Sequence, residues 1–70
     1  MAFQTRRETI NRCKSGYTSS PIIVYKTSNP DMFITSFAST VISQQDIKNK
    51  KSNIVGIFDS TNYKTLEDVI

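Results

Sequence analysis

The side chains that could do chemistry in this chain are few. It has one cysteine, Cys13, no histidine and six acids. Without histidine there is no Ser-His-Asp or Cys-His pair and no imidazole metal ligand. Cys13 stands among Arg6, Arg12 and Lys14, and cationic neighbours favour a thiolate. It also falls on the apolar side of its segment, where a lone cysteine reads as a small core residue. Asp59 directly follows an apolar run, where α/β enzymes often place a carboxylate. No second carboxylate stands at a readable spacing from it, so paired acid–base work has no support. Asp59-Ser60 reads instead as a turn and helix cap, and Asp31 and Asp46 read as helix-terminal acids. Lys14-Ser15-Gly16 lacks the order of a phosphate loop, and Gly16 reads as a helix stop. The sequence implies no catalytic residue, no metal and no cofactor.

Charge is what the sequence organises. Lysine and arginine number nine, for a net charge of +3. Residues 1–30 carry +4, from Arg6, Arg7, Arg12, Lys14 and Lys26 against Glu8, and residues 48–51 carry +3. The stretches 31–47 and 52–70 are each −2. Basic clusters separated by acidic stretches imply a patterned surface. Guanidinium forks suit phosphate, and Tyr17 and Tyr25 offer ring faces on which bases could stack. The candidate contact residues are Arg6, Arg7, Arg12, Lys14, Tyr17, Lys26, Lys50 and Lys51.

These residues point to a small non-catalytic protein that contacts nucleic acid. RNA or a single strand is favoured over duplex DNA, because helix-turn-helix spacing, zinc-finger ligands and basic heptads are all missing. The competing expectation is an inhibitor or adaptor of a larger enzyme, such as a nuclease or polymerase, whose acidic surface meets the basic patch. A charge of this size also serves solubility alone.

The elements that must position these side chains come from one chain of 70 residues, expected to form a single small domain over 1–70. Nine isoleucines and four valines stand against one leucine, and serine with threonine number seventeen. The β-branched excess favours strands, and the hydroxyls favour caps and turns. An AT-rich coding bias would give the same composition, as in small viral or mobile-element accessory proteins. No apolar run approaches the ~20 residues of a membrane span. Arg6 and Arg7 have no apolar stretch behind them, so a leader is not expected and the expected setting is intracellular, in the cytoplasm.

Residues 1–16 read as a basic N-terminal helix or arm. Thr5 and Glu8 have capping-box spacing, which would leave Phe3 outside the helix. Pro21 to Thr27 reads as a strand apolar on both faces. From Asn29 onward, a cap, a proline and Phe33, Ile34, Phe37, Ala38, Val41 and Ile42 predict a helix over 30–42, which either runs on through Gln45 or restarts at Ser43. Ile54–Phe58 reads as a second strand, and residues 61–70 as a helix burying Tyr63, Leu66, Val69 and Ile70. The expected class is α+β, or a small α/β fold, in the order α-β-α-β-α. A strand, helix and strand with short links make one right-handed βαβ unit with parallel strands. Two strands leave both edges open, which predicts a homodimer that completes the sheet. The alternative is an antiparallel sheet to which the N-terminal segment adds a third strand.

Overall fold

Thr5 decides where the first helix begins. Its hydroxyl accepts from the Glu8 amide at 3.2 Å, and the Glu8 carboxylate accepts from the Thr5 amide at 3.3 Å. This reciprocal pair satisfies donors that a helix start leaves open. It divides the N-terminal segment into strand β1, Phe3–Thr5, and helix α1, Arg6–Lys14, which ends on Ser15. The computed structural model describes residues 3–15 and 21–70, so Gly16 and Tyr17 lie outside the described residues.

Asn29 does not start a helix. Its side-chain oxygen accepts from the Asp31 amide at 2.9 Å, and its carbonyl accepts from the Met32 amide at 3.1 Å. That is a β-turn with asparagine first and Pro30 second, positions both residues favour. The turn joins β2, Ile22–Lys26, to β3, Met32–Phe37, as an antiparallel hairpin. The expected helix over 30–42 is therefore a strand, a short turn and the first residues of the next helix. Phe33 and Ile34 do not share a stripe but alternate to opposite faces of the sheet, and both are apolar because both faces are covered. Paired apolar residues at helical spacing and a doubly covered strand look alike at this length.

Helix α2, Val41–Lys48, starts on Thr40, whose hydroxyl accepts from the Ser43 amide at 3.1 Å. Strand β4, Ile54–Phe58, and helix α3, Tyr63–Val69, complete the chain. The four strands form one antiparallel sheet in the order β1-β3-β2-β4. The fold is α+β. The two strands expected to be parallel, β2 and β4, are antiparallel neighbours, so the single βαβ unit is replaced by two wider crossovers. α1 carries the chain from β1 over β3 to β2, and α2 carries it from β3 over β2 to β4. Each crossover joins parallel strands that are not adjacent. Both step the same way across the sheet from strands pointing in opposite directions. They share one hand only if α1 and α2 lie on opposite faces, and they do.

One face packs Cys13 of α1 and Leu66 of α3 over Ile22, Val24, Phe33 and Phe58. The other places Ile47 of α2 against Ile23, Tyr25 and Ala38. Val69, expected in the core, is exposed. With four strands supplied by one chain, the reason for expecting a second copy to complete the sheet is gone. Side chains also blunt both edges. Gln4 on β1 accepts from the Thr35 amide at 3.2 Å beyond the end of β1, and Asn62 donates to the Ile57 carbonyl at 3.1 Å on β4.

Candidate binding surfaces

The register of the sheet decides which cations share an end. Thr5 pairs with Met32, Tyr25 pairs with Ile54, and the Lys26 amide donates to the Asn53 carbonyl at 2.8 Å. The start of α1, the end of β2 and the loop after α2 therefore share one end of the sheet. Arg6, Arg7, Lys26, Lys50 and Lys51 come from three separate segments to that end. Lys26 belongs with the lysine loop, not with the N-terminal cluster in which the sequence places it. Arg12 and Lys14 stand toward the other end of α1. Asp31, Glu67 and Asp68 belong to the first end as well, and leave cations in excess there.

These side chains are not equally available. Arg6 donates to the Glu67 carbonyl at 3.4 Å in the last turn of α3, where a cation meets the negative end of the helix. Arg12, half-buried, donates to the Thr35 hydroxyl at 3.4 Å. Lys51 reaches the Asp46 carboxylate at 3.2 Å. Arg7, Lys14, Lys26 and Lys50 are exposed. Arg7, Asn11 and Lys14 are all exposed and follow one another at i, i+4 and i+7 along α1. Glu8, the one acid of α1, has its carboxylate engaged by Thr5.

The loop lysines are held by an unusual helix end. The Lys50 amide donates to the Ile47 carbonyl at 3.1 Å and the Lys51 amide to the Asp46 carbonyl at 3.3 Å. This is the bond pattern of a Schellman stop, whose left-handed position glycine normally fills. Here Lys50 occupies it with φ of 52°. The stop aims Lys51 back at Asp46.

Asp46 itself is buried and accepts from the Tyr25 hydroxyl at 2.7 Å. It stands in the last turn of α2, where its carboxylate serves the sheet and caps no helix start. The Tyr25 bond, helped by Lys51, holds the Asp46 carboxyl below the usual carboxylate range against the opposing effect of burial. Burial, and then the bond to Asp46, pushes the Tyr25 hydroxyl up. Tyr25 is core, so its ring is not a stacking face. No periodicity reveals this pair, because it joins residues 21 apart through a strand and a helix.

The carboxylate of Asp59 closes a turn. It accepts from the Thr61 amide at 2.9 Å and from the Thr61 hydroxyl, and these bonds hold its carboxyl low. The cap position of α3 falls on Asn62, not on Asp59-Ser60. Burial, with the Asp59 charge adding to it, pushes the Cys13 thiol up. The cationic neighbours of the sequence do not set its chemistry. Among the described residues no three of Cys, Asp and Glu gather where a metal could be held. No helix among them is long and apolar enough to cross a membrane.

A groove of about 410 Å³ runs between α2 and β3 on the second sheet face. Ile34 and Ile42 form its apolar walls, while Tyr25, Ser43 and Asp46 line its polar side, with Lys51 at its rim. No protein-family model matches the chain, and comparison with curated proteins and with solved structures finds no match.

Proposed function

We propose that this chain is a small basic, non-catalytic binding protein that contacts nucleic acid, RNA or a single strand before duplex DNA. The observation that supports this reading is that Arg6, Arg7, Lys26 and Lys50, from three segments, share one end of the sheet. Lys51 contributes less, because its charge is spent on Asp46. The cations at this end outnumber the acids Asp31, Glu67 and Asp68, which suits phosphate contact. An extended, flexible strand can follow cations spread over a sheet end, whereas duplex readout needs an element that enters a groove.

Fluorescence anisotropy with a generic single-stranded RNA over a salt series tests the reading. Four phosphate contacts give log K against log salt a slope of about −3. Combined reversal of Arg7, Lys26 and Lys50 to glutamate abolishes binding while circular dichroism stays unchanged. Binding that ignores salt, or that survives the triple reversal, removes the proposal.

A further inference from the structure

Helix α2 is built the wrong way round for a helix on a sheet. Of its eight residues, the two that are buried are Ser43 and Asp46. Its two most apolar outward residues, Val41 and Ile42, are 76% and 74% exposed. A surface helix normally turns its apolar side inward. Apart from Ile47, which packs beside Ile23, Tyr25 and Ala38, the inner side is polar: the Tyr25–Asp46 bond and the Thr40 and Ser43 hydroxyls form the seam with the sheet. That leaves Ile42 beside Ile34 on the groove wall. Phe3, 59% exposed, pairs directly with Ile34 and so shares its face. The result is one strip, Phe3–Ile34–Ile42, with Val41 at its border.

The charges around this strip favour one kind of occupant. Asp46 is the one carboxylate in α2 and residues 49–53, and it faces inward, already bonded to Tyr25 and Lys51. Lys48, Lys50 and Lys51 stand at the same end of the helix. A second copy docked through this face would bring lysines without acids to answer them, since α3 with Glu67 and Asp68 packs on the opposite face. Nucleic acid would answer the lysines but not the apolar strip.

We infer that the groove beside α2 is a docking site for an acidic amphipathic segment of another protein. One large apolar side chain of that segment enters between Ile34 and Ile42, and a neighbouring carboxylate meets the lysine end. The groove volume lies in the range of ~300–1,000 Å³ seen for occupied sites. The apolar strip lies on the face opposite α1, and although Lys50 also belongs to the proposed RNA surface, the contact at Ile34 and Ile42 does not depend on RNA binding.

The test is selection of a random twelve-residue peptide library on phage against the full 70-residue chain, followed by amide chemical-shift mapping. Selected peptides carry a large apolar residue next to Asp or Glu, and they shift Ile34, Ile42 and Lys51. Ile42→Glu weakens them tenfold or more, whereas Val69→Glu, on the other face, changes affinity less than twofold. Both sites are exposed, and circular dichroism checks the fold. The inference is overturned if no peptide is selected, if winners lack acids, if shifts map to α1, or if Ile42→Glu is silent. Concentration-dependent shifts at Ile42 without peptide overturn it in favour of a second copy. Binding to anionic phospholipid vesicles through Ile42, with no peptide competing, overturns it in favour of a lipid surface. RNA added to the same sample reads out at Arg7 and Lys26, and the peptide at Ile34 and Ile42, so the two proposals fail separately.

Discussion

The Tyr25 hydroxyl donates to Asp46 Oδ2 across 2.7 Å, and this bond ties the middle of the sheet to the last turn of α2. It brings a carboxylate to the negative end of a helix, where the dipole opposes it. The Lys51 ammonium, returned by the Schellman stop, offsets that opposition from the other carboxylate oxygen. Three residues from a strand, a helix and a loop thus hold one side of the groove.

The bond gives stability a defined dependence on pH. The Asp46 carboxyl is held low in the fold, so its contribution is present above the unfolded value and fades as pH falls through the folded one. The Asp59 carboxyl acts in the same direction. The Tyr25 hydroxyl is pushed up from its ordinary 10.0, so its contribution is complete below that value and is lost as pH rises through the folded one. Urea midpoints across pH form a plateau that falls off on both sides. Tyr25→Phe lowers stability by about 1.5 kcal/mol at pH 7 and shrinks the alkaline fall to the part that the Cys13 thiol, also pushed up in the fold, contributes. An alkaline limb of undiminished size in this variant would assign the fall to groups other than Tyr25.

Lys50 stores strain that can be released. A non-glycine residue in the left-handed region costs roughly 1–2 kcal/mol, and Lys50 sits there with φ of 52°. Glycine removes that strain but gives back part of it as unfolded-state entropy. Lys50→Gly therefore raises stability by about 0.5–1 kcal/mol, a Tm gain of roughly 3–6 °C for a domain this small. Asparagine, which tolerates the region, gives a smaller gain. Lys50→Ala removes the same charge but keeps the β-carbon and gives none. Equal gains from all three would trace the effect to charge and not to backbone.

Two strands and the boundaries of two helices were legible in the residues, and the reasons differ from one to the next. The Thr5–Glu8 box is local chemistry, complete within four residues, so its spacing suffices to place the start of α1. Ile22–Lys26 is apolar on both sides in the sequence and covered on both sides in the fold. The sequence admits an antiparallel sheet to which the N-terminal segment adds a strand, but ranks it second to the parallel unit. Residues 30–42 misled because Asn29 and Pro30 serve a β-turn and a helix start with the same bonds and the same φ. Arg6, Arg7, Lys26 and Lys50 are readable as cations, yet their convergence depends on strand register. The inward-facing Asp46 and outward-facing Ile42 were not legible at all, because helical periodicity assumes that apolar residues face the core.

Gly56 and Phe58 form a close pair on β4. A β-carbon on Gly56 would lie 2.9 Å from Phe58 Cζ and 3.0 Å from Cε2. The ring has little room to retreat, since Phe58 is buried beside Leu66 and Ile22. The sheet also bulges here, with Val24 opposite Gly56 and Tyr25 opposite Ile54, and glycine is common at such irregularities. Gly56→Ala costs about 1–3 kcal/mol by overpacking, measured as a lowered urea midpoint. Phe58→Leu alone also destabilises, but in its presence the alanine costs less, so the double variant is more stable than the two single losses summed. Additive losses would show that the ring and the glycine do not contend for the same space.

Cys13 supplies the last test, because its surroundings oppose the reactivity that its sequence neighbours suggest. The thiol is 1% exposed, and burial together with the Asp59 charge pushes its proton affinity up. Arg12, the cation next to it in sequence, turns to Thr35 instead. A thiol needs both access and thiolate character to react. Labelling with a disulfide reagent at neutral pH is therefore slow in the native protein and at least a hundredfold faster in urea. Its native rate follows the opening equilibrium, so Tyr25→Phe speeds it only in proportion to lost stability. Asp59→Asn speeds it through the same unfolding route, with a further small gain from removing the negative charge. Fast native labelling would mean that the packing of α1 against β2 opens without global unfolding, and it would make Cys13 an accessible nucleophile after all.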